Sequence, residues 1–158
     1  MNRRTALKQF FILAGGLMIA SSCAGETGGA SIELRNIVLS ADDEALIGDL
    51  VEAIIPKTDS PGAKELNLHL FVMRMLDDCH SREDQDAFIK GLKMAAKANL
   101  NTESAHLAYL QTLKEDIFFD ILKKRTLQGY LNSEYIMKNK LIYELVPGHY
   151  DGAVKVNT

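Results

Sequence analysis

From Ile32 onward the apolar residues recur three and four places apart, the spacing of helices that bury one side. Ser40 followed three places on by Asp43 has the form of a capping box, and Leu46, Ile47, Leu50, Val51, Ile54 and Ile55 then make one stripe that stops at Pro56. Thr58-Asp59-Ser60-Pro61-Gly62 is turn chemistry, with proline presetting φ and glycine free to take φ above zero. Leu68, Phe71, Val72, Met75, Leu76 and Cys79 set out a second helix, and Ser81 with Asp84 opens a third that turns Phe88, Leu92, Ala95 and Ala96 inward. Asn101 or Thr102 caps a fourth, carrying Leu107, Leu110 and Leu113. Ile117, Phe118, Ile121 and Leu122 continue the pattern as far as Gly129. A short Ser133-Glu134 segment follows, and Leu141, Ile142 and Leu145 lead to Pro147-Gly148 and an irregular tail. Ile32 to Leu39 is a short apolar lead-in that could be extended. Period-two alternation bounded by hairpin turns is nowhere sustained, so strands are at most peripheral. The predicted fold class is all-α, a compact helical bundle over residues 40–158, in which the wide stripes that include Phe118, Phe119 and Tyr130 read as interior packing, with one of them facing a partner as the alternative.

The first residues follow a different rule. Arg3-Arg4 leads into the apolar run Phe10 to Ala20 and then Ser21-Ser22-Cys23, the layout of a secretory signal whose core is too short to span a bilayer. Residues 1–22 are therefore expected to be an export signal, and residues 23–39 a flexible, glycine-rich tether followed by the apolar lead-in. Arg3 and Arg4 resemble a twin-arginine signal, which is read for export of folded cargo; a short basic start containing two arginines by chance is the alternative. Cys23 after three small residues resembles a lipobox, although Ala20 stands where leucine is more usual. Acylation at Cys23 would give a stable membrane anchor, and simple cleavage near Ala24 is the other reading. Either way the expected location is outside the cytoplasm, periplasmic or in the cell envelope.

Charge and composition narrow the partners. Loss of residues 1–22 would remove Arg3, Arg4 and Lys8, leaving 15 basic against 21 acidic residues and moving the formal charge from −3 to −6. That balance argues against nucleic-acid binding, which needs a clustered basic face. With two cysteines in the chain, Cys79 has no intramolecular partner if Cys23 carries lipid, so a disulfide scaffold is not expected. His69, His80, His106 and His149 never stand in pairs at helical spacing, and CxxC, GxGxxG, GxxxxGK[ST] and GxSxG are absent. His80 beside Asp77, Asp78 and Cys79 reads as a solvated helix end rather than a metal site, and Asp42, Asp43 and Glu44 as complements to a helix dipole. No catalytic, cofactor-binding or metal-binding residue is assigned.

What is distinctive is three segments that ask for unusual backbone: Ile54-Ile55-Pro56-Lys57-Thr58-Asp59-Ser60-Pro61-Gly62-Ala63, Thr126-Leu127-Gln128-Gly129-Tyr130-Leu131-Asn132-Ser133-Glu134, and Tyr143-Glu144-Leu145-Val146-Pro147-Gly148-His149-Tyr150-Asp151-Gly152. With the twin-arginine-like start, these resemble the gluconate 2-dehydrogenase subunit 3 family over roughly residues 40–155. The chain departs from the family pattern at Leu131-Asn132, where phenylalanine and threonine are usual, and at Ala153, where many relatives have cysteine.

The resemblance implies a non-catalytic small subunit and export escort of a periplasmic sugar or sugar-acid dehydrogenase. Its large subunit would be an FAD enzyme of the glucose-methanol-choline oxidoreductase type, in some complexes joined by a cytochrome c subunit. FAD would belong to that partner and not to this chain. The contact surface expected from the three segments is Thr58, Asp59, Pro61, Gly62, Gly129, Tyr130, Ser133, Glu134, Pro147, Gly148 and Tyr150. Prolines and tight turns there would lower the entropy lost on docking, and tyrosines are frequent interface anchors. The alternative for the same segments is that they only close the domain's own fold. A free-standing helical envelope lipoprotein with another protein partner, and a stand-alone enzyme, are the competing functional classes.

Overall fold

A computed structural model describes residues 28–98 and 100–141, together with Gly148. Among these residues six helices follow one another: α1 Ala41–Ile54, α2 Leu68–Cys79, α3 Arg82–Lys97, α4 Glu103–Thr112, α5 Ile117–Leu131 and α6 Glu134–Asn139. They form no strand, only an isolated antiparallel bridge between Gly29 and Ser40. The all-helical expectation holds for this part of the chain. The expected signal over residues 1–22, with Arg3 and Arg4, and the proposed lipid site Cys23 lie outside the described residues, as do Ile142, Leu145, Pro147 and Tyr150.

Helix starts follow the capping residues. Ser40, Ser81, Thr102, Asp116 and Ser133 each accept a hydrogen bond from a main-chain N–H in the first turn that follows, and Ser40 and Asp43 form the full capping box. Such caps contribute about 1 kcal/mol each. Of the two candidates for α4, Thr102 is the cap. Helix α2 starts differently, from Asn67 in the left-handed region (φ 53°), with the Leu68 N–H donating to the Ala63 carbonyl at 2.9 Å.

Helix α1 is the centre of the packing, touching α2, α3, α4 and α5, while α5 lies against α2 and α3. Ile47, Leu50 and Val51 of α1 are fully buried with Val72, Met73, Leu76, Phe88, Phe118 and Leu122. The Phe88 and Phe118 rings meet in a tilted pair, centroids 4.9 Å apart. Two helix crossings depend on glycine for space. A Cβ on Gly91 would stand 2.5 Å from Cβ and Cγ of Phe118, and one on Gly129 would stand 2.8 Å from the Phe71 ring.

Several positions differ from the expected stripes. The inward side of α2 is Leu68, Val72, Met73, Leu76 and Asp77, so Asp77 is carried in and Cys79 out. Ala96 is exposed, and Leu107 is 44 % exposed while His106 beside it is buried. Helix α5 does not stop at Gly129 but runs to Leu131, because Gly129 lets α5 approach α2 and is not a helix end. Residues 28–31, expected within a flexible tether, are bonded to the bundle. Gly28 and Ala30 pair with Ala41 and Leu39, and both the Ser31 N–H and hydroxyl donate to the Glu44 carboxylate at 2.6 Å.

The lead-in is held by Asp77, which is buried rather than solvated. Its carboxylate accepts the N–H groups of Arg35 (2.8 Å), Asn36 (2.7 Å) and Ile37 (3.0 Å), and the Asn36 amide returns a bond to the Asp77 carbonyl. Arg82 donates to the Asn36 carbonyl, and Gln85 donates to the carbonyls of Leu76 and Asp77 at 3.0 Å each. Ile37 and Leu39 are thereby seated in the core. Burial pushes the Asp77 carboxyl up, but the three main-chain donors and the Arg74 charge outweigh it and hold the group below its usual value.

Two outcomes follow from this packing. Asp77→Asn should destabilise the domain by about 2 kcal/mol in urea unfolding, since the amide offers one acceptor oxygen to three main-chain donors, of which the Ile37 N–H is buried. Because the folded pKa lies below the unfolded one, the Asp77 contribution is complete above about pH 4 and is lost as pH falls through the folded value, so the variant should show a flatter acid limb. Gly91→Ala should cost about 2 kcal/mol, because Phe118 is fully buried and its Cβ moves only with the α5 backbone. Gly48→Ala, in α1 with no atom closer than 3.6 Å to the new methyl, should gain up to about 1 kcal/mol from helix propensity, both read as shifts in urea midpoint.

Candidate docking site

The loop between α1 and α2 is organised from inside by Glu52, two residues before the end of α1. Its carboxylate accepts the Lys57 N–H at 3.2 Å and the Lys64 N–H at 2.7 Å, so one side chain ties the two ends of the loop together. Gly62 is buried against it. A Cβ there would run into both Glu52 carboxylate oxygens and the Lys57 nitrogen, so glycine is required at this position for space. Its φ is not positive, contrary to the expectation of a turn glycine. The Ala63 N–H donates to the Ile55 carbonyl at 2.9 Å, and the Thr58 N–H donates to the Ser60 carbonyl at 3.1 Å. Asp59 accepts the Thr58 hydroxyl at 3.0 Å and is exposed, with Pro56, Lys57 and Thr58, at the tip.

The second segment reaches this loop through Tyr130. From the last turn of α5 its hydroxyl donates to Ser60 Oγ at 3.1 Å, a contact spanning 70 positions of sequence. Thr58, Asp59, Pro61, Gly62 and Tyr130 are thus brought together. Gly129 is turned inward against Phe71 and Leu68, where its task is internal packing. Ser133 caps α6, and Glu134 pairs with Lys138 at 2.6 Å on the surface. Beside Tyr130, Leu127 and Leu131 stand four apart on α5 and are both exposed, Leu131 at 58 %. Gly148 is exposed, with open space where a Cβ would stand. Its neighbours Pro147 and Tyr150 are outside the described residues.

Several titratable groups elsewhere are engaged by neighbouring side chains. His80 sits with Nδ1 3.4 Å from Asp84, the arrangement of a base and its orienting acid, but its Nε2 accepts from Arg125 Nε at 3.0 Å, so the lone pair a general base needs is used. Arg125 is in turn fixed by Gln128 at 2.7 Å. His69 lies 3.7 Å from Glu44, and burial, only partly offset by Glu44 and reinforced by Lys64, holds its pKa down. Glu44 is pushed up by burial and further down by the two Ser31 donors, which keeps it ionised as the anchor of the N-terminal segment. Between these groups Lys64 bridges to Asp49, with a shallow hollow of ≈ 380 Å³ on the His106 side and one of ≈ 480 Å³ on the His69 side. Among the described residues no group of three or more histidine, cysteine, aspartate or glutamate side chains is placed to hold a metal ion.

Glu52 and Arg125 were not singled out by the sequence, and Asp77 was read there only as part of a solvated helix end. A carboxylate four residues before Pro56 is a weak signal for a loop organiser, and nothing local marks Asp77 or Arg125.

No curated protein and no solved structure matches the chain. The sequence profile of the family described as gluconate 2-dehydrogenase subunit 3 matches residues 41–148, from the first residue of α1 to the Gly148 of the third segment. That span takes in the Glu52-organised loop and the Tyr130 contact and covers well over half of the 158 residues; the chain belongs to the gluconate 2-dehydrogenase subunit 3 family.

Proposed function

We propose that this protein is the small, non-catalytic subunit of an exported FAD-dependent sugar or sugar-acid dehydrogenase, docking on its flavoprotein through the α1–α2 loop and the end of α5. The observation that carries this reading is the build of the loop. Its interior face is fixed by Glu52, Gly62 and the Ser60–Tyr130 bond, while Pro56, Lys57, Thr58 and Asp59 are presented to solvent. A loop held in this way surrenders little further entropy on binding, where each freshly immobilised side chain would otherwise cost about 1 kcal/mol. Exposed Leu127 and Leu131 beside it supply apolar surface of the kind an interface buries. Family membership supports the subunit role, and the twin-arginine-like Arg3-Arg4 supports the escort role, since a signal for folded cargo suits a chain that leaves with a flavin-loaded partner. FAD stays with that partner, a cytochrome c subunit completes the electron path in some assemblies, and Cys23 gives the complex a lipid anchor in the envelope.

Affinity isolation of the tagged chain from the native envelope should bring down a flavoprotein, seen by its flavin absorbance and by mass spectrometry of its peptides. Asp59→Arg should reduce that recovery at least tenfold with an unchanged thermal midpoint, and Tyr130→Phe should weaken binding by about 1 kcal/mol through loss of the Ser60 bond. A flavoprotein that reaches the cell exterior fully active in a strain lacking this chain would refute the escort role. Recovery of a non-flavin partner instead would favour a free-standing lipoprotein.

A further inference from the structure

The second half of α3 carries a charge pattern of its own. Lys90, Lys93 and Lys97 share one exposed face with Met94, which is 55 % exposed, and half-buried Ile89, around a hollow of ≈ 460 Å³. Asp86 is the one carboxylate at its edge. Of the other lysines among the described residues, Lys57 pairs with Glu65, Lys64 with Asp49, Lys124 with Asp120 and Lys138 with Glu134, while Lys114, Lys123 and Lys140 form no ion pair and lie on three separate segments. Among the described residues Lys90, Lys93 and Lys97 form no ion pair. The helix dipole accounts for Lys97 in the last turn but not for the other two. Such a face stands against the sign of the whole chain, whose formal charge is −3.

We infer that this face of α3 docks on the anionic headgroups of a phospholipid bilayer, the lysines reaching phosphates while Met94 and Ile89 turn toward the acyl boundary. Long lysine stems around an apolar centre suit a lipid surface, where each nearby lysine strengthens attachment. A protein interface of the same size would be depleted in lysine and enriched in arginine and aromatic side chains, and this face has neither. Its position leaves the other surface free. Gly91, between the lysines, packs on Phe118 near the start of α5, whereas Tyr130 lies twelve residues further along, about 18 Å at the helical rise. The proposal does not depend on the identity of the dehydrogenase partner.

The test uses the full chain, alone, with vesicles of phosphatidylcholine with and without phosphatidylglycerol, comparing wild type, Lys90→Gln/Lys93→Gln/Lys97→Gln, and a control carrying Lys57→Gln/Lys124→Gln/Lys138→Gln. The N-terminal residues contribute equally to all three. At low salt the α3 triple variant should lose on the order of a hundredfold in partitioning to the phosphatidylglycerol vesicles, with no change on phosphatidylcholine, an unchanged circular dichroism spectrum, and a smaller difference at high salt. The control should partition within about threefold of wild type. A triple variant that holds anionic vesicles as well as wild type does would overturn the inference. The same retention combined with loss of the flavoprotein on affinity isolation would assign the face to a protein partner instead.

Discussion

Asp77 solves the problem that a helical bundle has with any non-helical segment it buries, which is where the main-chain amides go. Residues 35–37 have no strand partner, yet Ile37 is seated in the core. Three consecutive N–H groups converge on a single carboxylate at the end of α2, and the carboxylate is itself stabilised as an anion by receiving them. Gln85 completes the arrangement by taking up the carbonyls that the end of α2 leaves open. The lead-in, the end of α2 and the start of α3 are thereby one unit. Because Ser31 is fixed to Glu44 in the same region, a chain arriving from residue 27 is already anchored before α1 begins.

The same device recurs with a different purpose at Glu52. There the carboxylate gathers two amides from a loop that stays at the surface, and Gly62 yields the space the carboxylate needs. Asp77 spends its bonds on burying a segment, whereas Glu52 spends them on holding one out with its shape fixed. The Ser60–Tyr130 bond then makes the tip sensitive to the seating of α5, which the contact between Gly129 and Phe71 sets.

This division also explains what could be read from the sequence. Caps and stripes are local, and Ser40 with Asp43, Ser81 with Asp84, and the turn of α2 at Leu68, Val72 and Leu76 lie within one or two helical turns of what they specify. The six helices were therefore largely legible. The bonds of Asp77 span about 40 positions and the Tyr130 bond spans 70, and no periodicity carries that information. Asp77 was misread because an aspartate near a helix end is ordinarily solvated, and only the lead-in packed against it makes it a buried acceptor. Gly129 was misread in the same way, as a helix end, since a glycine that clears space for Phe71 and one that stops a helix look alike until the neighbouring helix is placed. Of the candidate site, the loop and Tyr130 were visible as segments, while their contact and its support by Glu52 were not.

The two surfaces argued for here constrain each other through α5. Its first turn packs Phe118 under the lysine face of α3, and its last turn presents Tyr130 to the loop, so α5 sets the offset between the lysine face and the loop. A lipid attached near residue 23 would reach the bundle through residues 28–31, which are bonded to the start of α1 and give the attachment a fixed entry point. Anchor and lysine face together would define a plane, where either alone leaves the domain free to swing. The close crossings of α5 with α2 at Gly129 and with α3 at Gly91 tie the two faces to one another through a single helix.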